Sequence, residues 1–448
     1  MNLGAIVNGI IGISVILLIT FCFSNQRKKI NWILVGKGLI LQMLFAFFII
    51  KGNELGQIFY PLGLLKSSLE WVGNAVVLLL QFTLEGSKFV FGPLGNTTDD
   101  GNLGFIFAFQ ALSTIIFVSS ITSLLYYFGI LQKIVKGMSF IMIRILGTSG
   151  TESLTCAANI FIGQTESPLL IKPYISQMTR SEILTIMISG MATIAGGVMA
   201  AYISILGQAF AAAKGIDLHT ASLQMAIHLL AASTMAAPAS IVIAKILYPE
   251  TEESLTKGTV KVHVEKNASS FIESAANGAS DGVKLAINVA AMLIAFIALV
   301  ALLNHILFYF GDITGLNTIL MEKYNQPFSF QFILGAVLQF VAFAIGVPWQ
   351  DAMNFGSLLG TKIVLNEFVA YLDLSTLITR NVISDKTIVM ASYALCGFAN
   401  FSSIAIQIGG IGALAPNKKK DIAELGLKAL LGGSLATLMT ATIGGMLF

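Results

Sequence analysis

The chain has 448 residues, 56% of them hydrophobic and 11% charged, with a net charge of +3 and a mean hydropathy of +0.83. Soluble domains carry about 25% charged residues, so the composition excludes an ordinary soluble protein and marks an integral membrane protein. The small positive charge is spread over membrane-flanking loops and implies no nucleic-acid surface; Cys22, Cys156 and Cys396 stand singly, without metal or disulfide spacing.

A helix needs roughly 20 apolar residues to cross a bilayer. Leu3–Phe23 is the first such stretch. Arg27, Lys28 and Lys29 follow it rather than precede it, and no cleavage signature is present, so it reads as a retained span with the N-terminus outside. Trp32–Ile50 is the second. Leu64–Leu94 has an apolar middle bounded by Lys66, Glu70, Glu85 and Lys88 and is expected to lie at the outer interface. Six stretches free of Asp, Glu, Lys and Arg hold one span each: Gly101 to Gln132, Ile183 to Ala213, Leu218 to Ala244, Leu285 to Gly311, Thr387 to Asn417, and Ala429 to Phe448. Basic residues mark the cytoplasmic ends of spans, and they follow alternate ones. Lys133, Lys136, Lys172 and Arg180 come after the third, Lys257, Lys261 and Lys266 after the fifth, and Lys418–Lys420 after the seventh. The expectation is an all-α polytopic protein of the inner or plasma membrane, with about eight transmembrane helices and both termini outside.

Two regions fall outside that count, Ile130 to Lys172 and Phe328 to Leu374. Each shows an amphipathic or apolar helix, a glycine break and a hairpin interrupted by polar residues. Laid together, Gly147 faces Gly346, Glu152 lies near Asp351, and Glu166 lies near Glu367. Each is followed by two spans, and three crossings separate the units, so the second enters from the opposite face. Four segments result: 1–131, scaffold spans and the outer interfacial helix; 132–248, the first repeat; 249–327, linker and scaffold span; 328–448, the second, inverted repeat. An inverted repeat with two re-entrant hairpins is secondary-transporter architecture, with its site near the midplane.

Polar interruptions point the same way. Thr193, Gly196 and Gly197 interrupt the fourth span; Gly397, Asn400, Ser402 and Ser403 interrupt the seventh. Non-helical backbone at depth survives only when buried in protein or lining a wet cavity. Gly432, Gly433, Gly444 and Gly445 read instead as close-packing positions. An acidic side chain at a helix centre costs about 2.5–3.5 kcal/mol on insertion scales; pairing with Lys172 or Lys362 would account for one of Glu166 and Glu367, but less well for both. His228 and His305 are expected to be packed neutral imidazoles. Gly410–Ala415 imitates a nucleotide fingerprint but reads as a helix end, and the sequon Asn96-Thr97-Thr98 is expected to carry no function.

The segments ANIFIGQTESPLLIKPYISQMTRSE, ATIAGGVMAAYIS, MAAPASIVIAKILYPE, LLGTKIVLNEFVAYLDL and ALCGFANFSSIAIQIGGI, in this order, closely resemble the concentrative nucleoside transporter family from about Gly147 onwards. The first roughly 100 residues match only in general plan. The resemblance implies a homotrimer of eight-span protomers with elevator-type motion and no enzymatic activity. It places Gln164, Thr165, Glu166 and Val198 at the nucleobase, and Glu367, Asn400 and Ser403 at the ribose with Phe398 as an apolar wall. It further implies a sodium site at the side chains of Asn159 and Thr193 and the carbonyls of Asn159, Ile162, Thr193 and Ile194. Proton-coupled relatives lack the Asn that this chain has, which favours sodium as coupling ion; no other cofactor is implied. Substrates of the uridine, cytidine and adenosine type are expected, and Gly163 leans the expectation towards broad selectivity. The alternatives are proton coupling, a membrane-embedded hydrolase using Glu166 and Glu367, and a channel.

Overall fold

The computed structural model describes residues 3–58, 60–95, 106–257, 268–324 and 326–448. Asn96-Thr97-Thr98, Lys261 and Lys266 lie outside the described residues. In chain order the helices are α1 (Leu3–Cys22), α2 (Trp32–Ile50), α3 (Gly52–Ile58), α4 (Tyr60–Phe91), α5 (Phe107–Tyr127), α6 (Ile130–Leu146), α7 (Gly150–Ala158), α8 (Lys172–Ile175), α9 (Arg180–Ala192) and α10 (Gly196–Lys214). Then follow α11 (Leu218–Leu247), α12 (Phe271–Ile313), α13 (Leu316–Tyr324), α14 (Phe330–Ala344), α15 (Trp349–Val364), α16 (Glu367–Thr379), α17 (Asp385–Leu395), α18 (Phe401–Leu414) and α19 (Lys419–Leu447). The described residues form no strand beyond one isolated bridge, Ser149 to Lys257.

Two stretches of the chain share one order of helices. α6, a glycine turn, α7, a broken stretch and α8 are followed by the split pair α9 and α10 and by α11. α14, a glycine turn, α15, a short break and α16 are followed by the split pair α17 and α18 and by α19. Both hinge glycines, Gly147 (φ 69°) and Gly346 (φ 98°), adopt left-handed backbone, which glycine reaches without a Cβ penalty. The acids just beyond them also correspond. Glu152 accepts from Thr185 Oγ1 of α9 (2.8 Å), and Asp351 accepts from Ser384 Oγ (2.6 Å), the cap of α17.

α11 and α19 are enclosed over 89% of their apolar windows, and the α9–α10 pair over 83%, against 22% for α1 and α12. Small residues make this centre possible. A Cβ on Gly432 or Gly433 would meet Ile188 at 2.3 Å or Met191 at 2.7 Å, both on α9, and one on Gly444 would meet Tyr393 of α17 at 2.5 Å. α12 is longer than the span expected from Leu285 onwards: its first turns carry exposed Glu273, Asp281 and Lys284 and lie along α5, where Gly278 and Gly282 meet Ser123 and Ile116. Thus α12 continues past the hydrocarbon layer as a charged, solvated helix.

Length and hydropathy alone would let the stretch Lys66–Gly95 cross a membrane, but its ends return to one face. α2 runs antiparallel to α11, with Gly38 against Val242 and Asn25 N–H bonded to Leu247 O (3.0 Å); its C-terminal end is therefore level with the start of α11. α5 runs antiparallel to α10, Ser119 lying at Gly197 while Phe107 reaches, through Phe368, Tyr202 further along α10. α4 begins where Gly52 meets Lys66, beside the end of α2, and ends where Ser87 Oγ donates to Phe109 O (2.5 Å), beside the start of α5. A helix tied at both ends to one face lies along that face. The crossing elements are then α1, α2, α5, α9–α10, α11, α12, α17–α18 and α19.

His228 is packed as expected, Nδ1 lying 3.2 Å from Tyr393 Oη. His305 is not: it is exposed on α12, because only one stripe of that helix packs against α5. The motif Gly410–Ala415 ends α18, in agreement with its reading as a helix end.

The α17–α18 break fixes one residue type. A Cβ on Gly397 would sit 2.6 Å from Met191 O and 2.8 Å from Ala192 C, backbone atoms that cannot swing aside. Gly397→Val is expected to cost about 3 kcal/mol or more by overpacking, read as loss of the monodisperse protein in detergent gel filtration; a variant with wild-type elution and melting temperature would contradict the close approach.

Candidate substrate and ion site

Four chain breaks meet in the interior: 159–166 in the first hairpin, 193–195 between α9 and α10, 365–366 in the second hairpin, and 396–400 between α17 and α18. Each break exposes backbone groups that must find partners. Gly196 N–H donates to Phe161 O (3.0 Å), tying the first two together. Asn400 is the N-cap of α18: its Oδ1 accepts from Ser403 N (2.9 Å) and from Ser402 Oγ (2.7 Å). Asn366 caps α16 in the same way, through Val369 N (3.0 Å).

From these caps a continuous polar chain runs between the hairpins. Tyr202 Oη donates to Glu367 Oε1 (3.1 Å), and Asn400 Nδ2 donates to Glu367 Oε2 (3.0 Å). Asn400 holds Ser403, and Gln164 Nε2 donates to Ser403 Oγ (3.3 Å). Gln407 Nε2 donates to Gln164 Oε1 (2.9 Å) and to Met187 O (2.9 Å). Glu367, Asn400, Ser403 and Gln164 are all buried. Glu367 takes one of these bonds on each of its carboxyl oxygens and so anchors the chain.

The other named residues surround it unequally. Val198 is buried in the first turn of α10, and Phe398 is half-buried in the α17–α18 break. Thr165 turns its methyl to Gly410, where a Cβ would lie 2.9 Å away. Glu166 is exposed and accepts from Gly163 N within its own turn (3.2 Å); it does not join the chain from Glu367 to Gln164. Lys362 makes no hydrogen bond to Glu367, although its charge lies near enough to act on that carboxylate. It donates to Ala394 O (2.8 Å) and Thr437 Oγ1 (3.2 Å), the first a carbonyl in the last turn of α17.

Asn159, Ile162, Thr193 and Ile194 are all buried where the first two breaks meet. Asn159 Oδ1 accepts from Ser167 Oγ (2.6 Å) while its Nδ2 donates to Ser189 Oγ (3.1 Å). Thr193 Oγ1 donates to Ser189 O (2.8 Å), which leaves its lone pairs available to a cation. The oxygens here are neutral, and the described residues contain no cluster of three or more His, Cys, Asp or Glu side chains with metal-binding arrangement.

Gln407, Tyr202, Ser189 and Ser167 belong to the assembly and were not singled out in the sequence. Gln407 carries the same signal as Asn400, an amide inside an apolar run. A tyrosine or a serine inside a span carries no comparable signal, since each packs in membrane bundles without a ligand.

Three family models match the chain: "Na+ dependent nucleoside transporter N-terminus" over residues 11–94, "Nucleoside recognition" over 108–209, and "Na+ dependent nucleoside transporter C-terminus" over 228–445. A Helicobacter pylori protein named Nucleoside permease NupC is 38% identical over 442 residues, covering 98% of this chain and 96% of its own. The chain is a member of the concentrative nucleoside transporter family. Human Sodium/nucleoside cotransporter 1 is 38% identical over 451 residues, 98% of this chain but 63% of the human protein. Among solved structures, CNTnw in an inward-facing substrate-bound state is 35% identical, with a TM-score of 0.84 over 99% of this chain and 98% of that one. A variant of CNTnw in an outward-facing state has a TM-score of 0.83 at 35% identity, over 99% and 97% of the two chains. These relatives are transporters, not enzymes, so the hydrolase alternative falls away. This concentrative nucleoside transporter is a multi-pass membrane protein.

Gly190 is the wall behind Gln164: a Cβ there would lie 2.7 Å from Gln164 Cβ and 3.1 Å from Gln407 Nε2. Gly190→Ala is expected to displace the hairpin tip and weaken nucleoside binding about tenfold, equivalent to about 1.4 kcal/mol. Isothermal titration of the purified protein measures it, and unchanged affinity would show that the tip tolerates the shift.

Proposed function

We propose that this chain is a sodium-coupled symporter that takes up nucleosides by elevator-type alternating access, as a homotrimer. The observation that carries the reading is the buried polar chain from Tyr202 and Glu367 through Asn400 and Ser403 to Gln164, which joins the tips of two opposed hairpins. Such a chain has donors and acceptors for both ends of a nucleoside. Glu367, Asn400 and Ser403 hold the ribose hydroxyls, with Phe398 as the apolar wall. Gln164, Thr165, Glu166 and Val198 meet the base, Glu166 from the open side of the hairpin turn. Sodium, a hard cation that takes oxygen ligands, is held by the Asn159 and Thr193 side chains and by the carbonyls of Asn159, Ile162, Thr193 and Ile194; a neutral oxygen set suits a monovalent ion.

The names of the relatives support the coupling ion and the substrate class, and the inward- and outward-facing states of CNTnw support alternation. Segments 132–248 and 328–448 form the two inverted repeats around the site, 1–131 and 249–327 supply the scaffold, and both termini lie outside the inner or plasma membrane. Uridine, cytidine and adenosine are the substrate types. Proton coupling is the rival, and Asn159 in an oxygen-rich break speaks for sodium.

Reconstituted protein is expected to accumulate uridine under an inward sodium gradient with no pH gradient; uptake that follows only a pH gradient would overturn sodium coupling. Glu367→Gln is expected to abolish uptake while the protein still assembles, because the substitution removes the charge that strengthens the ribose bonds. Normal uptake by that variant would remove Glu367 from the ribose.

A further inference from the structure

Gln407 is a fully buried side chain that the reading above leaves without a role. It lies two turns along α18 from Asn400, between Ile406 and Ile408. The two ends of a carboxamide have the same shape, so a partner whose own role is unambiguous decides its orientation. Met187 O is such a partner. A backbone carbonyl only accepts, so the Gln407 atom 2.9 Å from it is nitrogen. The same nitrogen lies 2.9 Å from Gln164, whose facing atom must therefore be the oxygen.

Turning Gln407 over would set its oxygen against two acceptors. In the observed orientation only its own Oε1 stays buried without a partner among the described residues, the smaller of the two penalties. Gly190, with no side chain between them, lets the two amides meet. The orientation of Gln407 is thus passed on to Gln164. The acceptor end of Gln164 faces the interior, and its NH2 faces Ser403 at 3.3 Å. One N–H is taken there; the second meets no partner among the described residues.

We propose that Gln407 is a specificity-determining positioning residue: it locks Gln164 with its donor end towards the substrate, so that the site prefers a base with a carbonyl at the facing edge over one with an amino group. The preference is uridine over cytidine, and inosine over adenosine. It rests on the assignment of Gln164 to the nucleobase. An amino group facing the locked NH2 sets donor against donor, and a site built around a hydrogen bond discriminates most strongly against the analogue that cannot make it.

The test is competition between the paired nucleosides for uptake into proteoliposomes under a sodium gradient. The unaltered protein is expected to favour uridine and inosine; preference for cytidine and adenosine would overturn the proposal without any variant. Gln407→Leu releases the lock, and the uridine-to-cytidine ratio should fall about tenfold towards parity, the scale of one hydrogen bond. In Gln407→Glu the facing oxygen, protonated, can donate its O–H to Met187 O and accept from Gln164 with a lone pair, so Gln164 should turn over and the ratio invert. An unchanged ratio in both variants overturns the lock. Gln164→Leu separates the two levels. If it weakens all nucleosides while the Gln407 variants keep the ratio, only the lock fails; if it weakens none, the base assignment itself fails.

Discussion

A helix that starts inside a bilayer has bare N–H groups and no water to satisfy them, and each unsatisfied group there costs several kcal/mol. Asn400 removes part of that cost at the start of α18, and the same side chain reaches Glu367 with its other end. One amide therefore closes the helix and joins the polar chain. The broken spans cannot be separated from the polar chain: without the break there would be no cap, and without the cap the carboxylate would keep only Tyr202 as donor. The α9–α10 break solves the same problem with backbone, through Gly196 and Phe161.

The breaks must also fit together in a crowded centre. α9, α11 and α17 pack against glycines of α19 whose neighbours would overlap any added carbon, so the central helices approach closely and hold the four breaks in register. The outer elements do the reverse. α12 extends beyond the apolar layer on a charged, solvated helix, and α4 stays on one face although its composition would let it cross.

Much of this was legible in the chain itself. Long uncharged stretches identified the crossing elements, and Gly147 and Gly346 both stand at left-handed turns. Glu367 and Asn400 stood out because an ionised or amide group inside an apolar run demands a partner. The partners were not legible. That Glu367 meets Tyr202, or that Lys362 turns to the end of α17 rather than to Glu367, depends on which helix faces which, and hydropathy is blind to rotation about a helix axis. His305 shows the same limit: a histidine in an apolar run reads as packed until the stripe that packs is known. The packed stripe of α12 faces α5, and His305 is off it.

Gln164 and Ser403 touch although 239 residues separate them. Chains are made from the N-terminus at about 5–20 residues per second, so the first hairpin waits roughly 10–50 s for the second. During that interval Gln164 has neither Ser403 nor Gln407. α18, made long after the first hairpin, is therefore the helix that quenches Gln164, and a nascent chain truncated before α18 would present an unfinished, sticky surface to the insertion and quality-control machinery. The distance along the chain between two hydrogen-bonded side chains thus becomes a time during biogenesis.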